Sequence, residues 1–125
     1  GVFTPGDHAA TFGGNVAAAA LAELLLSKLQ ALSANAAESG MYLTQKLKEI
    51  AAKHPDKASD VRGMGLMQGL DLKVPPRDVI AECMKRGLLV CSAGYTVLRF
   101  VPPLIASKDD IDKAAAIVDE ALSAL

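Results

Sequence analysis

The sequence predicts an α+β fold, a small mainly antiparallel three-stranded sheet with helices on one face. Two observations predict it. Segments of helical and of strand periodicity follow one another in the order α-α-β-α-β-β-α, and the last two strands are joined by a turn too short for a parallel crossover. The 125 residues are 51% hydrophobic and only 4% aromatic, so one core can be buried, built of Ala, Leu, Val and Ile.

Residues 1–14 read as a loop, because Thr4, Pro5, Gly6, Asp7 and the pair Gly13-Gly14 are turn formers. Asn15 is a good N-cap for a helix from Val16 to about Leu32. Ala17 to Ala20, Leu21, Ala22 and Leu24 to Leu26 leave almost no polar face on its first three turns. A helix apolar all round is buried on every side. A domain of this size has little room to surround one, so the helix is expected to pack on something outside the chain. The first residue is Gly1 rather than Met, which fits a segment of a longer protein.

Ser33 or Asn35 is expected to restart a helix, since Asn35-x-x-Glu38 resembles a capping box. Leu43, Leu47 and Ile50 give that helix its apolar face, and His54-Pro55 ends it. The run VRGMGLMQGLDL, 61–72, reads as one strand, bent or bulged near Gly63 or Gly65. Met64, Leu66, Leu70 and Leu72 share one face at period two, and Gly63, Gly65 and Gly69 share the other. Pro75-Pro76 opens a short helix to Arg86 with Val79, Ile80, Cys83 and Met84 on its apolar side, and Gly87 stands where a left-handed cap belongs. Leu88 to Cys91 and Thr96 to Val101 read as strands around the turn at Ser92–Tyr95. Ser107-x-x-Asp110 starts a last amphipathic helix carrying Ile111, Ala114, Val118 and Leu122. Residues 1–32 thus form a loop and linker helix, and 33–125 the α+β domain.

Several function classes are excluded. Thirteen Lys+Arg against fourteen Asp+Glu give a net charge of −1, which argues against an electrostatic nucleic-acid binder. The longest apolar run, Val16 to Leu26, is broken by Glu23 and falls short of the roughly 20 residues that span a bilayer. No membrane partner and a cytoplasmic location are expected. Two cysteines, Cys83 and Cys91, make neither a disulfide framework nor a metal quartet, and both read as packed thiols.

Three features bear on chemistry. TFGGN, 11–15, precedes a helix, where free N–H groups and the helix dipole favour an anion and Thr11 adds a hydroxyl. No Gly-Lys-Ser/Thr follows, so it is not a P-loop. Arg99 shares a strand face with Val97 and Val101. A buried arginine needs a partner, and a bidentate carboxylate is its best geometric match. Either a ligand carboxylate, an internal acid or an exposed sheet edge would account for it. Arg62 reads as a structural ion pair or an anion contact. His8 and His54 read as loop or cap residues, and Lys46, Lys48, Lys53, Lys108 and Lys113 as solvated.

PGDHAATFGGN, 5–15, with the Ala-rich helix after it, then VRGMGLMQGLDL, RGLLV, 86–90, and VLRFVPPL, 97–104, together resemble the C-terminal part of class III, acetylornithine-type, pyridoxal-phosphate-dependent aminotransferases of fold type I. The resemblance spans essentially the whole chain. It implies that Thr11 reaches the phosphate of pyridoxal 5′-phosphate in the neighbouring subunit of a homodimer, and that Arg99 holds the substrate α-carboxylate. It implies that the apolar helix joins the small domain to a large one. It also places the lysine that carries the cofactor outside this chain, so the chain alone is expected to transfer nothing. The activity implied for the whole enzyme is exchange of an amino group between N-acetylornithine and 2-oxoglutarate in arginine biosynthesis. Succinylornithine, ornithine and 4-aminobutyrate stay open as donors. Ala9 stands for a usual Gly, Ala10 for a usual Ser or Thr, and Val16 for a usual Pro. The loss at Ala10 removes one possible phosphate hydrogen bond. The competing readings are a stand-alone amino-acid-binding regulatory module and a structural dimerisation domain.

Overall fold

The computed structural model describes residue 2 and residues 4–125; Gly1 and Phe3, at the start of the expected loop, lie outside the described residues. The chain divides into two compact units, Gly1–Ala31 and Leu32–Leu125. Helix α1 (Val16–Lys53) begins in the first and ends in the second.

In the first unit, Thr4 donates its N–H and hydroxyl to Asp7 Oδ2 at 2.7 and 2.9 Å, closing the Pro5-Gly6 turn. These bonds hold the Asp7 carboxyl below its usual range. Asn15 caps α1 as expected, its Oδ1 accepting from Ala18 N at 3.0 Å. The apolar turns that follow are exposed, with Leu21 and Leu26 each at 67%.

The helix does not stop at Leu32. It runs unbroken for 38 residues, because Ser33 and Asn35 do not start a new one. The Asn35 amide turns outward instead, donating to the carbonyls of Leu104 at 2.6 Å and Ala106 at 3.4 Å, and Ser39 donates to Ala106 at 3.3 Å. A side chain spent on a distant loop no longer competes with its own helix backbone. Glu38, the expected capping acid, pairs with Lys108 at 2.8 Å. With the break gone, α1 becomes long and apolar enough to cross a membrane by length and composition alone, which the shorter run did not suggest. A core or packing helix of a soluble protein meets the same test.

The second unit carries a four-stranded antiparallel sheet in the order β1-β2-β4-β3. The α+β class stands, with one more strand than predicted. The run 61–72 is two strands, β1 (Ala58–Met64) and β2 (Met67–Leu72), folded back at Gly65-Leu66. Gly65 has φ +53° and Leu66 a negative φ, the pattern of a tight hairpin turn with glycine first. The fold-back sends Met64 outward, 88% exposed, while Leu66, Leu70 and Leu72 are buried as expected. Helix α2 (Pro76–Lys85) ends at Gly87, φ +85°, in a Schellman motif: Leu88 N bonds Cys83 O and Gly87 N bonds Met84 O. The following strands are shorter than read. β3 is Cys91–Ala93, after rather than before Cys91, and β4 is Val97–Phe100. Helix α3 (Lys108–Ser123) starts after Ser107 as predicted, and Ser107 and Asp110 form a capping box there.

All three helices bury one side against one sheet face. Leu43, Leu47 and Ile50 of α1, Val79 and Cys83 of α2, and Ile111, Val118 and Leu122 of α3 meet Leu70, Leu98 and Phe100. Burial raises the Cys83 thiol above its usual range. Polar bonds join α1 to α3 at the rim. Tyr42 and Lys46 both reach Asp112, and Lys53 and His54 both reach Asp119. Lys46, Lys53 and Lys108 are therefore engaged in pairs rather than simply solvated.

Two outcomes follow. Gly40 of α1 lies so close to the hairpin that an added Cβ would stand 2.2 Å from Gly65 O. Alanine is intrinsically about 1 kcal/mol better in a helix, yet Gly40→Ala should destabilise by about 1–3 kcal/mol through overpacking. A rise in the urea midpoint would contradict this. Second, hydrogen bonds from Lys53 and His54 lower the Asp119 carboxyl below its ordinary 3.8. A depressed carboxyl contributes stability above its unfolded pKa and loses it as pH falls through the folded value. Asp119→Asn should therefore cost roughly 0.5–1 kcal/mol at pH 7. The two proteins should converge below pH 3.8, as denaturation curves at both pH values would register.

Candidate functional site

The register of the sheet decides where Arg99 points. Leu98 and Phe100 face the helices and are 0% and 5% exposed, so Arg99 between them turns to the opposite, uncovered face. It is exposed, although β4 is an inner strand of the sheet rather than an edge. Directly opposed residues of antiparallel strands share a face. Arg62, Gly69, Arg99 and Cys91 thus form one row across β1, β2, β4 and β3.

Within this row the two cations differ. Arg62 is ion-paired with Asp71, the structural role considered for it. Arg99 has no carboxylate within 4.0 Å among the described residues, which removes the internal ion pair from its possible roles. Its Nε–H donates to Cys91 Sγ at 3.4 Å. Cys91 is exposed, so only Cys83 is the packed thiol that both cysteines were expected to be. On the other flank Gly69 carries no side chain. The arrangement is a guanidinium held at one nitrogen, with its remaining donors directed to an open surface. Such a group binds a carboxylate or phosphate in two parallel hydrogen bonds.

Thr11 belongs to the first unit. It opens the turn 11–14, is exposed, and stands four residues before the Asn15 cap. Gly13 N and Asn15 N already bond Ala10 O and Phe12 O at 3.2 Å, so the turn is internally organised. Its Gly14, at φ +78°, needs the left-handed conformation that glycine permits. A hydroxyl beside a helix N-terminus is donor chemistry suited to a phosphate. Ala10 adds no second hydroxyl.

The other candidates lie elsewhere. His54 is buried at the end of α1, its Nε2 2.6 Å from Asp119, and serves the α1–α3 contact. Among the described residues no three His, Cys, Asp or Glu side chains gather as metal ligands. A hollow of about 510 Å³ is lined by Leu43, Leu88, Phe100 and Ile111 on the helix side of the sheet, away from Arg99. Its one acid, Asp110, is committed to the α3 cap. Sequence reading missed Cys91 as the neighbour of Arg99. The signal was present in the hairpin: once Ala93 opposes Val97, Cys91 falls opposite Arg99.

Comparison with known proteins gives the same fold and a family. The Aminotransferase class-III family model matches residues 1–122. The acetylornithine aminotransferase of Thermosynechococcus vestitus is 42% identical over 99% of this chain, and that of Aquifex aeolicus 40% over 96%. The chain covers 32% and 30% of those proteins, so it spans about a third of their length. Lysine aminotransferase from M. tuberculosis superposes with a TM-score of 0.85 at 34% identity, covering 97% of this chain and 29% of that one. The chain belongs to the class-III aminotransferase family.

Proposed function

We propose that the chain is the C-terminal part of a pyridoxal-phosphate-dependent aminotransferase that moves an amino group between N-acetylornithine and 2-oxoglutarate in arginine biosynthesis. The observation that carries the reading is Arg99, an exposed guanidinium with no carboxylate partner among the described residues. The relatives named acetylornithine aminotransferase support the choice of donor. A cytoplasmic homodimer is the state in which this enzyme would work.

Both substrates carry an α-carboxylate, and an amino-transfer enzyme must accept them alternately in one place. Arg99 answers that need, because two parallel N–H bonds to one carboxylate fix its plane as well as its position. The α-carbon is then held at a set distance from the sheet. The uncovered face lets two substrates of different length use the same anchor. Thr11 would donate its hydroxyl to the cofactor phosphate across the dimer. Pyridoxal 5′-phosphate supplies the electron sink of the reaction when bound. The lysine that bears it would belong to the rest of the enzyme. Residues 1–32, with their exposed apolar helix, would link the 33–125 domain to that remainder.

Three measurements test this. The 125-residue chain alone should neither bind pyridoxal phosphate covalently nor transfer amino groups. A yellow, borohydride-sensitive absorbance band in the isolated chain would contradict it. In the full-length enzyme, Arg99→Lys should raise KM for both substrates and lower kcat/KM about 30- to 1,000-fold, the effect of losing roughly 2–4 kcal/mol of bidentate binding. Cofactor retention should be nearly untouched. Thr11→Val should give the reverse, faster cofactor loss on dialysis with smaller changes in KM. Intact kinetics with a lowered Tm in Arg99→Lys would make Arg99 a structural residue instead.

A further inference from the structure

Arg99 has a neighbour that the fold places with care. Cys91 opposes it across β3 and β4, and Arg99 Nε donates to Cys91 Sγ at 3.4 Å. The thiol also lies 3.8 Å from Arg99 O, so Cys91 touches both ends of the residue. Arg62, the next cation in the row, is held by Asp71 and Gly69 offers no side chain. Cys91 is thus the one side chain bonded to the Arg99 guanidinium among the described residues.

A guanidinium can grip a carboxylate along two edges, Nε with one Nη or the two Nη atoms together. The Cys91 sulfur takes the Nε–H and leaves the second edge. We propose that Cys91 is a positioning residue, which holds Arg99 so that its two Nη groups meet the substrate carboxylate end-on. The inference rests on the reading of Arg99 as the carboxylate anchor. A side chain with as many rotatable bonds as arginine loses much freedom when it binds, and a contact that orders it beforehand lowers that cost.

The test uses the full-length enzyme and an unreactive dicarboxylate, glutarate, beside the kinetics. Cys91→Ala should weaken glutarate binding in calorimetry, and raise KM for both substrates, by about 3- to 10-fold, the effect of one lost hydrogen bond. Here kcat should stay within about twofold, since the contact acts on binding alone. Cys91→Ser should restore binding to within about twofold, because a hydroxyl oxygen accepts the same N–H. Cys91→Asp should weaken it further than Ala, by tying Arg99 into an internal ion pair. Unchanged glutarate binding in Cys91→Ala, beside weakened binding in Arg99→Lys, overturns the role of Cys91 and leaves Arg99 standing. Unchanged binding in both variants overturns the Arg99 reading and this inference with it. A lower Tm with unaltered binding in Cys91→Ala makes the contact purely structural, and also overturns it.

Discussion

Leu98 and Phe100 lie buried among the three helices, and that burial orients the candidate site residues of the second unit. A strand alternates its side chains with a period of two, so two core residues flanking Arg99 leave it only the uncovered face. The same rule, carried through the ladder, sets Cys91, Gly69 and Arg62 beside it. A slip of one residue in β4 would expose Leu98 and Phe100 and bury a guanidinium. Both changes are unfavourable, the second strongly so without a partner. The register that places the candidate anchor is therefore fixed by the core.

Much of this was legible in the sequence, and the misreadings have physical causes. The caps at Asn15, Gly87 and Ser107 were read correctly because each depends on a local bond between side chain or backbone and a helix end. The break at Ser33–Asn35 was misread because the same residue types also bond distant backbone. Nothing local announces that the carbonyls of Leu104 and Ala106 will come within reach of Asn35. The run 61–72 looked like one bent strand because alternation continues on both sides of Gly65. A two-residue turn at 65–66 inverts the parity of the pattern, setting Met64 opposite Met67 on the face away from Leu70, and the glycines that marked a bend mark a reversal. Arg99 was singled out, but its place beside Val97 and Val101 left burial and an exposed edge both open. Val97 is covered by its neighbours while Val101 stands 56% exposed, so apolar flanks did not report a buried face.

The glycines of the hairpin explain how helix and sheet meet. Gly40 presents bare backbone on α1 and Gly65 presents bare backbone at the turn, so the two segments approach more closely than side chains allow. Beside them Gln68 is 3% exposed, and its amide nitrogen bonds Gly65 O at 2.7 Å. That bond fixes which end of the amide points at the turn, since the reverse orientation would set oxygen against oxygen. It leaves Oε1 buried without a partner, a cost in stability accepted at the point of closest packing. The close approach sets the height of α1 over β2, and with it the seat of Leu43 and Leu47 above Leu70.

The division of labour across the sheet follows. On the covered face nearly every side chain serves packing, and substitution there acts through cavity formation or strain. On the open face, Arg62 and Asp71 neutralise each other. Arg99 adds a charge that no acid of the fold pairs among the described residues, and its side-chain bond is to the Cys91 sulfur. An exposed arginine of this kind contributes little to stability, since solvent screens it and no acid repays its lost freedom. Loss of Arg99 from the isolated domain should therefore leave folding nearly intact, while its loss from an enzyme that anchors carboxylates there should be severe. That contrast separates a ligand-binding cation from a structural one without any knowledge of the substrate. Under the proposed reading the chemical requirement falls on side chains of the uncovered face, which can change without disturbing the core that orients them.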